Sequence, residues 1–253
     1  SFTKTDVLSS NDIRAIKADG NHIWIGTAND GIYRYIEAVD TWINYTEEDG
    51  LASNNITCID IYQNEVWFGT RDSGVSLFNK ISGNWTQLVR ADKLPSNNIN
   101  KVSYDKDGNI WIATAEGLAK YSPENGQWIQ YGKESGLTTN FTTTVTANGK
   151  KVWLGTSRGL ATLDLKSGEW KYYTQSNGLA QDFITSIEIT NPKAWIGTNK
   201  GLFYLNLEEK SEDWGRIDEL SGKLITSVEY SDGFIWTGTE EGLCKYDVAS
   251  KKV

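Results

Sequence analysis

Ile110-Trp111-Ile112-Ala113-Thr114 is one of six near-copies of a single short run, and the spacing of the copies decides the fold. The others are Ile23-Trp24-Ile25-Gly26-Thr27, Val66-Trp67-Phe68-Gly69-Thr70, Val152-Trp153-Leu154-Gly155-Thr156, Ala194-Trp195-Ile196-Gly197-Thr198 and Ile235-Trp236-Thr237-Gly238-Thr239. Their tryptophans lie 43, 44, 42, 42 and 41 residues apart. A second series, Trp42, Trp85, Trp128, Trp170 and Trp214, follows the first five copies at 17 to 19 residues. Six and five account for all 11 tryptophans of the chain, so each is a repeat position.

Each period reads as four short strands. An inner strand of the form Asn54-Asn55-Ile56-Thr57-Cys58-Ile59 has versions beginning at Asn11, Asn97, Asn140, Asp182 and Lys223. Turns such as Asp19-Gly20, Asp107-Gly108, Asn148-Gly149 and Asp232-Gly233 supply the positive φ of a tight hairpin. The Trp-bearing strand follows, then a turn at Gly31, Gly74, Gly117, Gly159, Gly201 or Gly242, a third strand like Gly117-Leu118-Ala119-Lys120-Tyr121, and a fourth like Trp128-Ile129-Gln130-Tyr131. The runs are β-branched and aromatic, four to six residues long, and no convincing amphipathic helix interrupts them. Four-stranded units of this length predict an all-β, six-bladed β-propeller occupying residues 1–253 as a single domain. The sixth period ends at Val253, in the slot of Trp128, and residues 1–7 precede the first inner strand. The expectation is closure by the N-terminal strand joining the C-terminal blade, because an unclosed ring leaves sheet edges and a blade face uncovered.

Composition narrows the function. In 253 residues, 38% hydrophobic residues and 24 glycines provide for a core, and no apolar run approaches the roughly 20 residues of a membrane helix. The net charge of -8 argues against nucleic acid as a partner, since such binding rests on phosphate neutralisation. One histidine leaves little for a zinc site or a His-based triad. No phosphate loop, nucleophile elbow or EF-hand is present, so the reading is a non-enzyme without cofactor or metal. The chain does not start with Met, which is expected of a processed or excised product.

The stretch from Leu94-Pro95-Ser96-Asn97-Asn98-Ile99 through Asp107-Gly108-Asn109-Ile110-Trp111-Ile112-Ala113-Thr114-Ala115-Glu116-Gly117-Leu118 resembles the two-component regulator propeller repeat, and all six periods carry versions of it. The resemblance implies an extracytoplasmic (periplasmic or secreted) sensor propeller of a bacterial signalling protein, with an oligosaccharide or a protein as ligand. A protein-interaction scaffold is the alternative. The periods also depart from one another: Phe141, Phe183 and Leu224 stand where the first three have Asp12, Asn55 and Asn98.

Identical repeats present identical surfaces, so specificity belongs to the positions where they differ. In the turns between second and third strands, Arg71, Arg158 and Lys200 are cations among Asp30, Asp72, Glu116, Glu240 and Glu241. Arg71, Asp72, Arg158 and Lys200 are therefore candidate ligand contacts at the axial mouth; a mixed solvated rim is the plainer reading. One inner-strand position runs Arg14, Thr57, Asn100, Thr143, Thr185, Thr226, a series suited to ordered water. Arg14 and Asn100 join the candidates, and Arg14 is left to plug a channel, pair with a carboxylate or bind an anion. His22 reads as an exposed turn residue. Cys58 and Cys244 read as unpaired small buried residues, because a disulfide needs Cα atoms within about 7 Å. Asn-x-Ser/Thr matches at Asn55 and Asn140 fall at inner-strand starts and are discounted as glycan sites.

Overall fold

A computed structural model describes residues 8–9, 11–179, 181, 183–208 and 213–253. The expected closing strand, residues 1–7, lies outside the described residues. The architecture is all-β: six antiparallel sheets follow one another along the chain as the six blades of a β-propeller. The backbone forms two compact units, Ser1–Tyr131 with blades one to three and Gly132–Val253 with blades four to six.

Every blade is a meander. In blade two, Ile56–Tyr62 pairs with Glu65–Thr70, which pairs with Val75–Asn79, which pairs with Trp85–Leu88. Gly74, at φ +81, is required by sterics, since a Cβ there would sit 2.2 Å from the Leu88 carbonyl oxygen. The tryptophans are slabs between blades. Trp24 is fully buried, with its ring 5.6 Å from both Phe68 and Phe78 of the next blade. Within the second unit, Trp195 meets Tyr246 of the next blade at 5.8 Å. Truncating such a side chain costs about 3–5 kcal/mol, which is why the period keeps Trp.

In blades one, two, four and five the Gly of the Trp-Φ-Gly-Thr run, where Φ is the intervening residue, also meets an Ile of the next blade. A Cβ on Gly69 would lie 2.5 Å from Cys58 Sγ and 2.7 Å from Ile99 Cγ2 of the following blade. Blade three carries Ala113 here, opposite Lys101, where the other blades place Gly opposite Ala15, Cys58, Thr144, Ser186 or Ser227.

Among the described residues, five blades have four strands and the sixth has three, Ile225–Ser231, Phe234–Thr239 and Gly242–Asp247. Leu243 is 70% exposed, whereas its counterparts Leu118, Leu160 and Leu202 are at most 1% exposed. The hairpin after that strand is nevertheless formed. Asp247 N–H donates to Lys252 O at 2.8 Å, and Asp247 Oδ1 accepts from Ala249 and Ser250 N–H. Asp164 makes the same bonds with Glu169 O, Lys166 N–H and Ser167 N–H at the turn leading to Trp170–Tyr173. Short 3-10 turns, unforeseen in the sequence, link most blades. Asn54, Asn97 and Asn140 cap three of them, their Oδ1 atoms accepting from Glu47, Arg90 and Lys133 N–H. Among the described residues, no helix is long and apolar enough to cross a membrane.

Candidate functional site

The turns that carry the candidate cations are held rigidly by the threonine ending each Trp-bearing strand. Thr70 Oγ1 donates to Gly74 O at 2.7 Å and accepts from Ser73 N–H at 3.0 Å. Thr156 makes the equivalent bonds with Gly159 O and Arg158 N–H, and Thr198 with Gly201 O and Lys200 N–H. Thr27, Thr114 and Thr239 repeat the clip. Its sequence signal is the Thr at every copy of the run, which reads from sequence alone as mere β-propensity.

In blades one to five a second bond ties the turn to the residue just before the inner strand of its own blade. In the first unit, Arg71 N–H donates to Asn55 O and Ala115 N–H to Asn98 O, both at 3.0 Å. In the second, Ser157 N–H donates to Phe141 O at 3.3 Å and Asn199 N–H to Phe183 O at 3.4 Å. Arg71 and Asp72 therefore stand beside polar Asn55, and Asp72 accepts from Ser73 Oγ. Arg158 and Lys200 each follow a residue bonded to a phenylalanine, and Phe141 and Phe183 are 41% and 40% exposed. The inner strands bearing these two rings are neighbours.

Arg71, Arg158 and Lys200 are exposed and hold no ion pair among the described residues. The rim acids differ. Glu116 pairs with Arg90 at 3.2 Å and Glu241 with Lys223 at 2.6 Å, the latter hydrogen bond raising the Lys223 ammonium pKa. The uncommitted charge within these turns thus includes the three cations singled out by sequence.

The inner-strand series has a physical basis that sequence did not show. Each of its six members is the extra residue of a β-bulge. Ile13 opposes Thr27 and Ala15 opposes Gly26, leaving Arg14 between them. Thr57, Asn100, Thr143, Thr185 and Thr226 are skipped in the same way. A bulge re-aims the side chain it carries and is a common device beside sites. Of the three roles left open for Arg14, the structure selects the ion pair: Nη2 lies 2.9 Å from Asp12 Oδ2, both half-exposed. Asn100 is half-buried. In the second unit, Thr143 and Thr185 present buried Oγ1 atoms without a hydrogen-bond partner.

His22 corrects an expectation. It opens strand His22–Thr27, is half-buried, and lies with Nε2 3.3 Å from Arg34 Nη2. Burial first, then the guanidinium, lowers its imidazole pKa. Both cysteines are free thiols, Cys58 buried and Cys244 half-buried, and burial pushes the Cys58 thiol pKa up. Among the described residues no group of three or more His, Cys, Asp or Glu is placed to hold a metal.

Residues 93–116 match the family described as Two component regulator propeller. This stretch resembles a two-component regulator propeller repeat. It contains the Asp105 turn, Trp111 and the Thr114 clip, which the other blades vary. Among solved structures, the extracellular domain of a putative hybrid two-component system from B. thetaiotaomicron superimposes with TM-score 0.80 at 21% identity, over 96% of this chain and 34% of that one. The extracellular domain of a putative one-component system from the same organism gives TM-score 0.80 at 20% identity, over 99% and 36%. The computationally designed Ika8 protein gives 0.69 at 14% identity, over 92% and 70%. The chain spans about a third of the length of the two extracellular domains. No curated protein matches the sequence.

Proposed function

We propose that this propeller is a noncatalytic ligand-binding region of an extracytoplasmic bacterial signalling sensor, and that its ligand is an oligosaccharide. The carrying observation is the regulator propeller repeat at residues 93–116, supported by the likeness to extracellular domains of signalling systems. The contact surface is the face of the clipped turns. In the second unit, Arg158 and Lys200 offer charge-assisted donors beside the exposed rings of Phe141 and Phe183, an arrangement suited to a hydroxyl-rich ligand with apolar ring faces. In the first, Arg71, Asp72, Asn100 and the Arg14–Asp12 pair offer a more polar surface. Rigid turns limit the ordering cost of binding.

A glycan array combined with a thermal-shift screen of oligosaccharides tests the reading. Retention and stabilisation by one class of glycan is expected. Silence in both assays rejects the carbohydrate ligand and leaves the scaffold reading, in which Phe141 and Phe183 contact a protein.

A further inference from the structure

The fifth blade omits a bond that three preceding blades share. Two residues after the fourth-strand tryptophan, a side chain reaches back to the residue that ends the connecting turn before that blade. Gln87 Nε2 donates to Gly50 O at 3.0 Å, Gln130 Nε2 to Lys93 O at 2.8 Å, and Tyr172 Oη to Gly136 O. The corresponding pair in blade five is Arg216 and Gly178. Arg216 turns instead to Asp218, with Nε and Nη2 each 2.7 Å from Oδ1. A cleft of about 410 Å³ remains, lined by Gly178, Phe203, Trp214, Gly215, Arg216 and Asp218.

Its chemistry is specific. Phe203 is buried, and Trp214 is half-buried with its indole edge against Gly178, where even a Cβ would come within 2.8 Å. The Arg216–Asp218 pair is neutral overall, yet sets a fixed donor beside an acceptor. Such a pair suits two adjacent hydroxyls, one accepting from the guanidinium and the other donating to the carboxylate, and it gives no net attraction to an ion. The volume falls in the range of small-molecule sites.

We infer that this cleft, whose lining includes neither Arg158 nor Lys200, is a second binding site for a single uncharged pyranose-sized ring bearing vicinal hydroxyls. The ring's C–H face lies against the Trp214 and Phe203 wall, and its vicinal hydroxyls meet the Arg216–Asp218 pair.

The test is saturation-transfer difference NMR on the full chain, with methyl glycopyranosides of glucose, galactose, mannose and xylose as probes. Saturation should pass to the ring protons of at least one. Arg216→Gln restores the strap used by Gln87 and Gln130, closes the cleft, and should weaken that transfer by at least about tenfold in apparent affinity with no loss of melting temperature. Asp218→Asn leaves the cleft open but removes the charged acceptor, and should weaken binding several-fold even if the first variant folds poorly. Arg158→Ala with Lys200→Ala should leave these signals unchanged, which separates this site from the proposed oligosaccharide face. No transfer to any of the four probes, or undiminished transfer in both cleft variants, overturns the inference.

Discussion

Replacing Asp105 with Ala removes one carboxylate and strands several donors. The side chain is 5% exposed and accepts from Asp107 N–H at 3.0 Å, Asn109 N–H at 2.9 Å, Asn109 Nδ2 at 2.9 and 3.1 Å, and Trp111 Nε1 at 3.0 Å. Trp111 is fully buried, so water cannot replace its acceptor; that orphaned donor costs about 1–3 kcal/mol. The two backbone donors lie in a half-buried turn, and losing their bonds adds about 0.5–1.5 kcal/mol each. The expected loss is therefore about 2–6 kcal/mol, read from the urea midpoint of unfolding followed by tryptophan fluorescence. Asp105→Asn keeps one acceptor oxygen and should fall between Ala and the parent. Asp107→Ala, on an exposed side chain paired only with neighbouring Lys106, should stay within about 0.5 kcal/mol. An Asp105→Ala protein that unfolds at the parent's midpoint would refute the carboxylate as the organiser of this turn.

Gly155→Ala places a Cβ 2.6 Å from Thr144 Cγ2 and 2.8 Å from Ile184 Cγ2 of the next blade, so denaturation should show a loss of about 1–3 kcal/mol from overpacking. Tyr104 carries a buried hydroxyl with no partner, and Tyr104→Phe should match or exceed parent stability by up to about 1 kcal/mol. Burial also raises the Tyr104 phenol pKa well above the ordinary 10.0. The unfolded chain releases that proton first, so the phenol's contribution to stability is whole below pH 10.0 and falls as pH climbs past it; Tyr104→Phe should flatten this part of the stability–pH curve. In thiol labelling near neutral pH, Cys244 should react in the folded protein and Cys58 only on unfolding, and simultaneous labelling would contradict the assigned burial.

The repeat was readable because its packing is periodic. A tryptophan every 41 to 44 residues reflects a slab needed between successive blades, and the Gly beside it reflects a neighbour's Ile pressing on the backbone. The cations at Arg71, Arg158 and Lys200 were visible as departures from the repeat, and the structure adds that they are exposed and free of ion pairs among the described residues. What sequence could not display was partnership across distant positions. Asn54, Asn97 and Asn140 read only as the start of the inner-strand pattern, whereas each side-chain carbonyl caps a 3-10 turn seven residues upstream. Arg14 was ambiguous in sequence, and the structure pairs this bulge residue with Asp12. Arg216 looked unremarkable in sequence, and its meaning appears only beside the bonds made by Gln87, Gln130 and Tyr172. The fourth strand of blade six was assigned to residues 1–7, which lie outside the described residues.

The claim that specificity resides where the blades differ is tested most directly by isothermal titration of an array-selected oligosaccharide into the parent protein and into Arg158→Ala with Lys200→Ala. Both residues are exposed turn positions, so the fold should persist while the lost charge-assisted bonds, worth about 1.5–3 kcal/mol each where water is excluded and under about 1 kcal/mol on an open rim, weaken binding measurably. Unchanged affinity in the doubly substituted protein would contradict the account and return these cations to the solvated surface.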